Sequence, residues 1–329
     1  MSNIKRPLPV LQGDHTESRD PPAQRKRRSY REEAQAKFER LWLLDPEQFN
    51  PLRTAMQRSL LDTTWNIVAS FMEWEGKKVA DLGTGMGVIA RRLAKLGASV
   101  HAVDIATQPL QNMQQESLPG LTPMQDYVPR TTLSDDFYDV VVSTELIGFL
   151  PPEEHRLFFS ELARIVKNSG ALLCSTAIDI HSEDALERFA GLVDTEFSVR
   201  QWVFSYHAYF IHLGELLKAP AHFARAKADP EYRLEALKKR LGFYKKWFWL
   251  QSTPLFGTFW KAVAWILKPC IRSFEQSKGI LLFLEKVCRF VKNEGGISHA
   301  FFIGEKRPLT AYFPKEPVAE RKSKKTVWE

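Results

Sequence analysis

Two short apolar runs, each closed by a carboxylate and linked through a glycine turn, restrict this chain more than any other feature. The first is Val79-Ala80-Asp81-Leu82-Gly83-Thr84-Gly85-Met86-Gly87, and the second is Val100-His101-Ala102-Val103-Asp104. An apolar run that stops on alternating glycines and then turns amphipathic predicts strand, tight turn, helix and second strand. Glycines 83, 85 and 87 allow a sharp turn and let a ligand approach the backbone with no Cβ in the way.

The remaining chain extends that unit. Asn50-Pro51-Leu52-Arg53 opens a helix whose Met56, Leu60, Leu61, Ile67, Val68 and Phe71 share one face. Further strands are expected near 122–127, 139–143, 171–178, 196–205 and 297–306. Helices are expected near 108–117, from Pro151-Pro152 to Lys167, and near 183–193. Alternating β and α units predict an α/β fold: a Rossmann-like, doubly wound, seven-stranded and mostly parallel sheet, with an N-terminal helical layer and a helical insert before the last strand. The expected divisions are a disordered basic tail at 1–30, N-terminal helices at 31–76, a core domain at 77–205 plus 294–314, an insert at 206–293, and a basic C-terminal tail at 315–329.

Charge follows those divisions. The formal net charge of +7 over 329 residues conceals an insert with sixteen Lys/Arg against six Asp/Glu, rich in Trp and Phe. Three cysteines without paired spacing argue for a reducing compartment and against a disulfide framework. The N-terminus has no apolar stretch of a secretory signal, so the chain reads as cytoplasmic. No Cys/His/acid spacing predicts a metal site.

Asp104, at the end of the second strand, stands where a carboxylate accepts ribose hydroxyls. Such a unit suits a dinucleotide or S-adenosylmethionine (SAM). Two details favour SAM: the spacing is G-x-G-x-G, and Asp81 precedes the first glycine by two residues. A carboxylate there repels a pyrophosphate and attracts the cationic amino-acid end of SAM. Thr84 in the turn and Ile105 after Asp104 complete the expected cofactor wall.

Over roughly residues 50–180 the chain resembles class I SAM-dependent methyltransferases, and most closely the ubiquinone-biosynthesis O-methyltransferases. The residues carrying the likeness are Asn50-Pro51-Leu52-Arg53, Lys77 to Gly83, Gly97-Ala98-Ser99-Val100, Asp104, Pro109-Leu110-Gln111, and Asp139-Val140-Val141 leading to Glu145. The resemblance implies that Arg53 approaches the cofactor carboxylate, that Gly83 and Asp104 bind it, and that Thr144 lines it. It also implies that Asp126 reads the adenine amine, with Tyr127 beside it. Where the family has a Glu-His pair after Glu145, this chain has Gly148 and Phe149. Substitute catalytic groups are then Glu145 itself, or Asp179 and His181 just past the fifth strand.

The insert admits three readings. Trp and Phe interspersed with Lys and Arg are what an interfacial helix places at a lipid headgroup layer. The same aromatics also suit a helical subdomain packed inward. RNA binding is the third, but no recognisable RNA module accompanies the charge. The expected activity is methylation of a small, lipophilic acceptor such as a quinone precursor or lipid, most readily on oxygen. The alternatives are a methyltransferase acting on RNA or protein, and a non-catalytic interaction protein.

Overall fold

The computed structural model describes residues 22–238 and 242–307. The C-terminal tail and residues 1–21 of the N-terminal tail lie outside the described residues.

Helix α1 (Pro22–Leu44) begins inside the stretch expected to be tail. Proline at a first helical position has no N–H to leave unsatisfied. No apolar periodicity appears before Phe38, Leu41 and Trp42, so the sequence pattern carries no signal for this start. A short 3-10 turn (Pro46–Phe49) leads to α2 (Ala55–Phe71). Thr54 caps α2: its hydroxyl accepts the Gln57 N–H at 3.2 Å, and its own N–H donates to Gln57 Oε1 at 3.1 Å.

The alternating segment then runs β1 (Lys78–Leu82), α3 (Val88–Lys95), β2 (Ser99–Asp104), α4 (Thr107–Glu116), β3 (Leu121–Gln125), β4 (Tyr138–Thr144), α5 (His155–Ile165), β5 (Val166–Ala177), α6 (Ala185–Val193) and β6 (Phe197–Ser205). Among the described residues, α7 (Ala208–Ala228), α8 (Pro230–Lys238), α9 (Gly242–Gln251), α10 (Pro254–Gln276) and α11 (Lys278–Lys292) follow. The strand β7 (His299–Lys306) closes the order. The sheet order is β3-β2-β1-β4-β5-β7-β6, with β1 to β5 parallel and β7 antiparallel to both neighbours. This is the seven-stranded Rossmann-like architecture.

The β4 run shows how the sheet is covered on both faces. Val140 and Val142 pack with Ile89, Leu93 and Met113, whereas Val141 packs with Phe158, Leu162 and Phe302. Successive side chains of a strand point to opposite faces, so an unbroken Val-Val-Val run requires two apolar layers. One expectation is corrected here. The helix expected from Pro151 to Lys167 is one short 3-10 turn (Pro152–Glu154) and α5, and β5 already starts at Val166. A register shift between Tyr138 and Val140 lets this early part of β5 pair, which periodicity does not reveal.

The helices between β6 and β7 dock on α2. Phe210 and Phe274 stack at 4.4 Å and pack with Leu281 and with Ala55 of α2. Arg58 donates to Gln276 Oε1 at 2.9 Å, and Gln276 Nε2 donates to the Arg53 carbonyl at 2.6 Å. The aromatic residues divide: Phe210, Phe248 and Phe274 are buried, while Phe259, Trp265, Phe283 and Phe290 face solvent.

Candidate functional site

Parallel strands leave a crevice at their carboxyl ends where the winding direction reverses, here between β1, β2 and β4. The glycine turn sits at that point. Gly83, Gly85 and Gly87 all have positive φ, at 70°, 50° and 67°. The turn is held back against the sheet, because Gly83 and Thr84 N–H both donate to the Val103 carbonyl at 2.9 and 3.0 Å. A Cβ built on Gly85 meets nothing nearer than 4.0 Å, so that residue opens onto free space.

Two cavities meet at this turn. The smaller, about 120 Å³, is lined by Gly83, Gly85, Asp104, Ile105, Asp126, Tyr127, Thr144 and Glu145 among others. The larger, about 500 Å³, shares Gly83, Gly85, Thr144 and Glu145 and adds Asp81, Thr84, Ser175 and His299. A roof of Phe38, Trp42, Phe49 and Phe149 covers the smaller cavity, with Trp42 and Phe49 stacked at 4.7 Å. Glu39 fastens that roof: its carboxylate accepts the Thr107 N–H at 2.9 Å and its hydroxyl at 2.7 Å.

Each carboxylate has its own environment. Asp104 Oδ2 accepts the Gly85 N–H at 2.9 Å and Oδ1 the Ala106 N–H at 3.0 Å, which leaves further lone pairs for a ligand. Loss of water pushes its carboxyl up from the ordinary value. Asp81 is buried, accepts the Thr84 hydroxyl at 2.7 Å, and has no cationic partner among the described residues. Burial lifts it to about 6, with the Asp104 charge adding to the rise. Asp126 is buried and already engaged. It accepts the Tyr127 N–H at 2.8 Å and the Thr132 hydroxyl at 2.8 Å, with Arg31 of α1 at 3.8 Å. Tyr127 donates to the Glu154 carboxylate at 2.9 Å.

Glu145 sits in a left-handed conformation (φ 58°) where both cavities meet. Such a backbone is strained for glutamate and concentrates at functional sites. Ser175 Oγ donates to Glu145 Oε1 at 2.9 Å, and His299 Nε2 lies 3.8 Å from Oε2. The Glu145 side chain keeps 38% of its surface open to the cavities, while the surrounding protein raises its carboxyl to about 7; burial together with the nearby His207 pushes the His299 imidazole down to about 3. Both directions favour the neutral forms, so desolvation outweighs the attraction between the two groups. The pair is a carboxyl poised near neutrality beside a neutral imidazole.

The fold therefore gathers Asp81, Gly83, Thr84, Gly85, Asp104, Ile105, Asp126, Tyr127, Thr144 and Glu145 around one crevice. Gly87 supports it from behind as the residue preceding α3. Three expected residues are not brought there. Arg53 points to Asp45 at 4.0 Å, and its backbone is tied to α10, so its guanidinium lines neither cavity. Asp179 and His181 are exposed on the loop after β5, where Asp179 Oδ1 accepts the His181 N–H at 3.0 Å. His299, like Ser175 and the roof residues Phe38 and Trp42, is a lining residue that the sequence pattern does not point to. Because β7 is antiparallel, its first residue stands at the carboxyl edge of the parallel strands, opposite Ala177 of β5.

Residues 79–170 match a family model described as a methyltransferase domain. The ubiquinone biosynthesis O-methyltransferase of Erwinia tasmaniensis is 31% identical over 149 residues, covering 43% of this chain and 58% of that protein. The protein of the same name from Shewanella sp. is 29% identical over 152 residues, covering 43% and 60%. The chain thus spans about three-fifths of the length of these curated relatives. Among solved structures, phosphoethanolamine N-methyltransferase 2 of Haemonchus contortus, in complex with S-adenosyl-L-methionine, aligns over 75% of this chain and 53% of that chain. Its TM-score is 0.44, at 16% identity.

Proposed function

We propose that this chain, whose residues 79–170 form a methyltransferase domain, transfers the methyl group of SAM to a hydroxyl of a small lipophilic acceptor. The observation that carries the reading is the pair of carboxylates flanking the open glycine turn: Asp104 with free acceptor capacity, and Asp81 buried without a cation. In this reading Asp104 receives the ribose hydroxyls and Asp81 the ammonium group, while Ile105 and the aromatic roof cover the adenine side. A pyrophosphate beside buried Asp81 would meet repulsion in a low-dielectric setting.

Bound SAM supplies an electrophilic methyl group, so the protein has chiefly to align a nucleophile, exclude water and accept a proton. The larger cavity suits an apolar acceptor, since Met56, Leu60, Leu61, Val88 and Ile89 line it alongside the polar group of Glu145, Ser175 and His299. Glu145 is the proton acceptor, held by the Ser175 hydroxyl, with the neutral His299 beside it. The similarity to ubiquinone biosynthesis O-methyltransferases supports a quinone-precursor-like or lipid acceptor. Incubating labelled SAM with a lipid extract, a protein extract and RNA tests the acceptor class. Label in the lipid fraction is expected, and label confined to protein or RNA would overturn it.

The exposed side of the insert supports peripheral contact with an anionic membrane. No described helix is long and apolar enough to cross a membrane. On α10, Lys261, Trp265, Lys268 and Arg272 fall on one exposed stripe, with Trp265 77% exposed. On α11, Phe283, Lys286 and Phe290 form another, with Phe290 91% exposed. Full-length chain is expected to float with vesicles containing phosphatidylglycerol, and Trp265→Glu with Phe290→Glu to remain in the pellet. Equal flotation of both would remove the membrane from the account.

A further inference from the structure

The sequence shows no metal-ligand spacing, yet folding assembles one away from the crevice. His181, on the loop after β5, meets His212 and Glu215, which lie one turn apart on α7. Their nearest donor atoms all lie within 4.8 Å of one another. The two imidazole rings are 5.3 Å apart, and His212 Nδ1 is 4.0 Å from Glu215 Oε2. At that distance no hydrogen bond joins them. Among the described residues, neither ring has a hydrogen-bond partner for its nitrogens.

We propose that His181, His212 and Glu215 bind a divalent transition-metal ion of the zinc class, and that the ion staples the insert to the loop leaving β5. Two imidazoles and one carboxylate are a donor set that zinc takes readily, at about 2.0–2.2 Å per bond. Ligands around one such ion stand about 3.3 Å apart in tetrahedral geometry. The donor atoms, which lie within 4.8 Å of one another, therefore have to close by up to about 1.5 Å, within reach of χ rotations of exposed and half-exposed side chains. The i, i+3 spacing puts His212 and Glu215 on one helical face. The third ligand comes from a loop already shaped locally, since Asp179 accepts the His181 N–H and Ser182 Oγ donates to Asp184 Oδ1 at 2.7 Å. Remaining coordination positions face solvent and would hold water. This site is independent of the proposed methyl transfer.

The test uses full-length chain stripped with EDTA and titrated calorimetrically with zinc chloride at pH 7.5. One zinc ion per chain is expected. His181→Ala and His212→Ala should each weaken binding at least tenfold, while Cys270→Ser, which removes the exposed thiol on α10, should change nothing. Hydrogen exchange on the same protein should slow on zinc addition at residues 179–183 and in the first turns of α7 together. No stoichiometric binding, binding that survives His212→Ala, or protection confined to only one of the two segments would overturn the proposal.

Discussion

Glu145→Gln is expected to lower methyl transfer to a hydroxyl acceptor by about 10²–10⁴-fold, the usual contribution of a positioned general base, while leaving SAM affinity within about twofold. The substitution is close to isosteric, and the Ser175 hydroxyl that donates to Glu145 Oε1 can donate equally to an amide oxygen. Neither the left-handed backbone at 145 nor the cavity shape needs to change. What disappears is a carboxylate whose ordinary value has been raised to about 7 by the surrounding protein. The wild-type rate should therefore rise with pH through about 7 and then level, because only the ionised form accepts a proton. Of the other groups in that cavity, Ser175 is a hydroxyl, the neighbouring buried Cys174 thiol is pushed well above its usual range, His299 is held neutral, and Asp81, at about 6, titrates lower and acts on SAM binding rather than on proton transfer. In Glu145→Gln the residual rate should lose the inflection near pH 7. A variant that retains both rate and pH profile would exclude Glu145 as the base.

Asp81→Asn should separate stability from ligand recognition. The folded value of Asp81, about 6, lies above the 3.8 expected of an unstructured aspartate. The folded chain thus holds an extra proton between about pH 4 and 6, and stability falls as pH rises through that window. Two pH units correspond to about 3 kcal/mol lost by pH 7 relative to a neutral side chain. Asparagine keeps an oxygen for the Thr84 hydroxyl and carries no charge, so the ligand-free variant should be about 1–3 kcal/mol more stable at pH 7. Denaturant unfolding at pH 5 and 7 measures this, with the difference between variant and wild type shrinking at the lower pH. SAM affinity should drop at the same time by about 1.5–3 kcal/mol, through loss of a charge-assisted contact to the ammonium. A destabilised variant, or one that binds SAM as wild type does, would contradict the role given to Asp81.

The part of the fold legible in the sequence was the part where local chemistry and tertiary structure agree. Alternating glycines demanded positive φ, the Val140–Val142 run demanded two covered faces, and Asp81 and Asp104 marked strand ends. These gave β1, α3, β2 and β4 and most of the crevice wall. The misses have separate physical causes. Helix α1 has one short apolar stretch, so its first half offers no period to read, yet Phe38 and Trp42 roof the smaller cavity. His299 was invisible because an antiparallel last strand reverses which of its ends meets the crevice, and orientation is not encoded in strand periodicity. Arg53 looked well placed by motif, but Asp45 and Gln276 claim its side chain and backbone. His181 fell on the expected edge of the sheet and met α7 of the insert instead, a contact that depends on how the insert docks.

The most direct test of the account is a calorimetric titration of wild type and Asp104→Ala with SAM and, separately, with NAD. One SAM site is expected in the wild type, with affinity reduced by about 1.5–3 kcal/mol for each ribose hydrogen bond lost in Asp104→Ala, and no NAD binding. Tight NAD binding without SAM binding, or SAM affinity unchanged in Asp104→Ala, would contradict it.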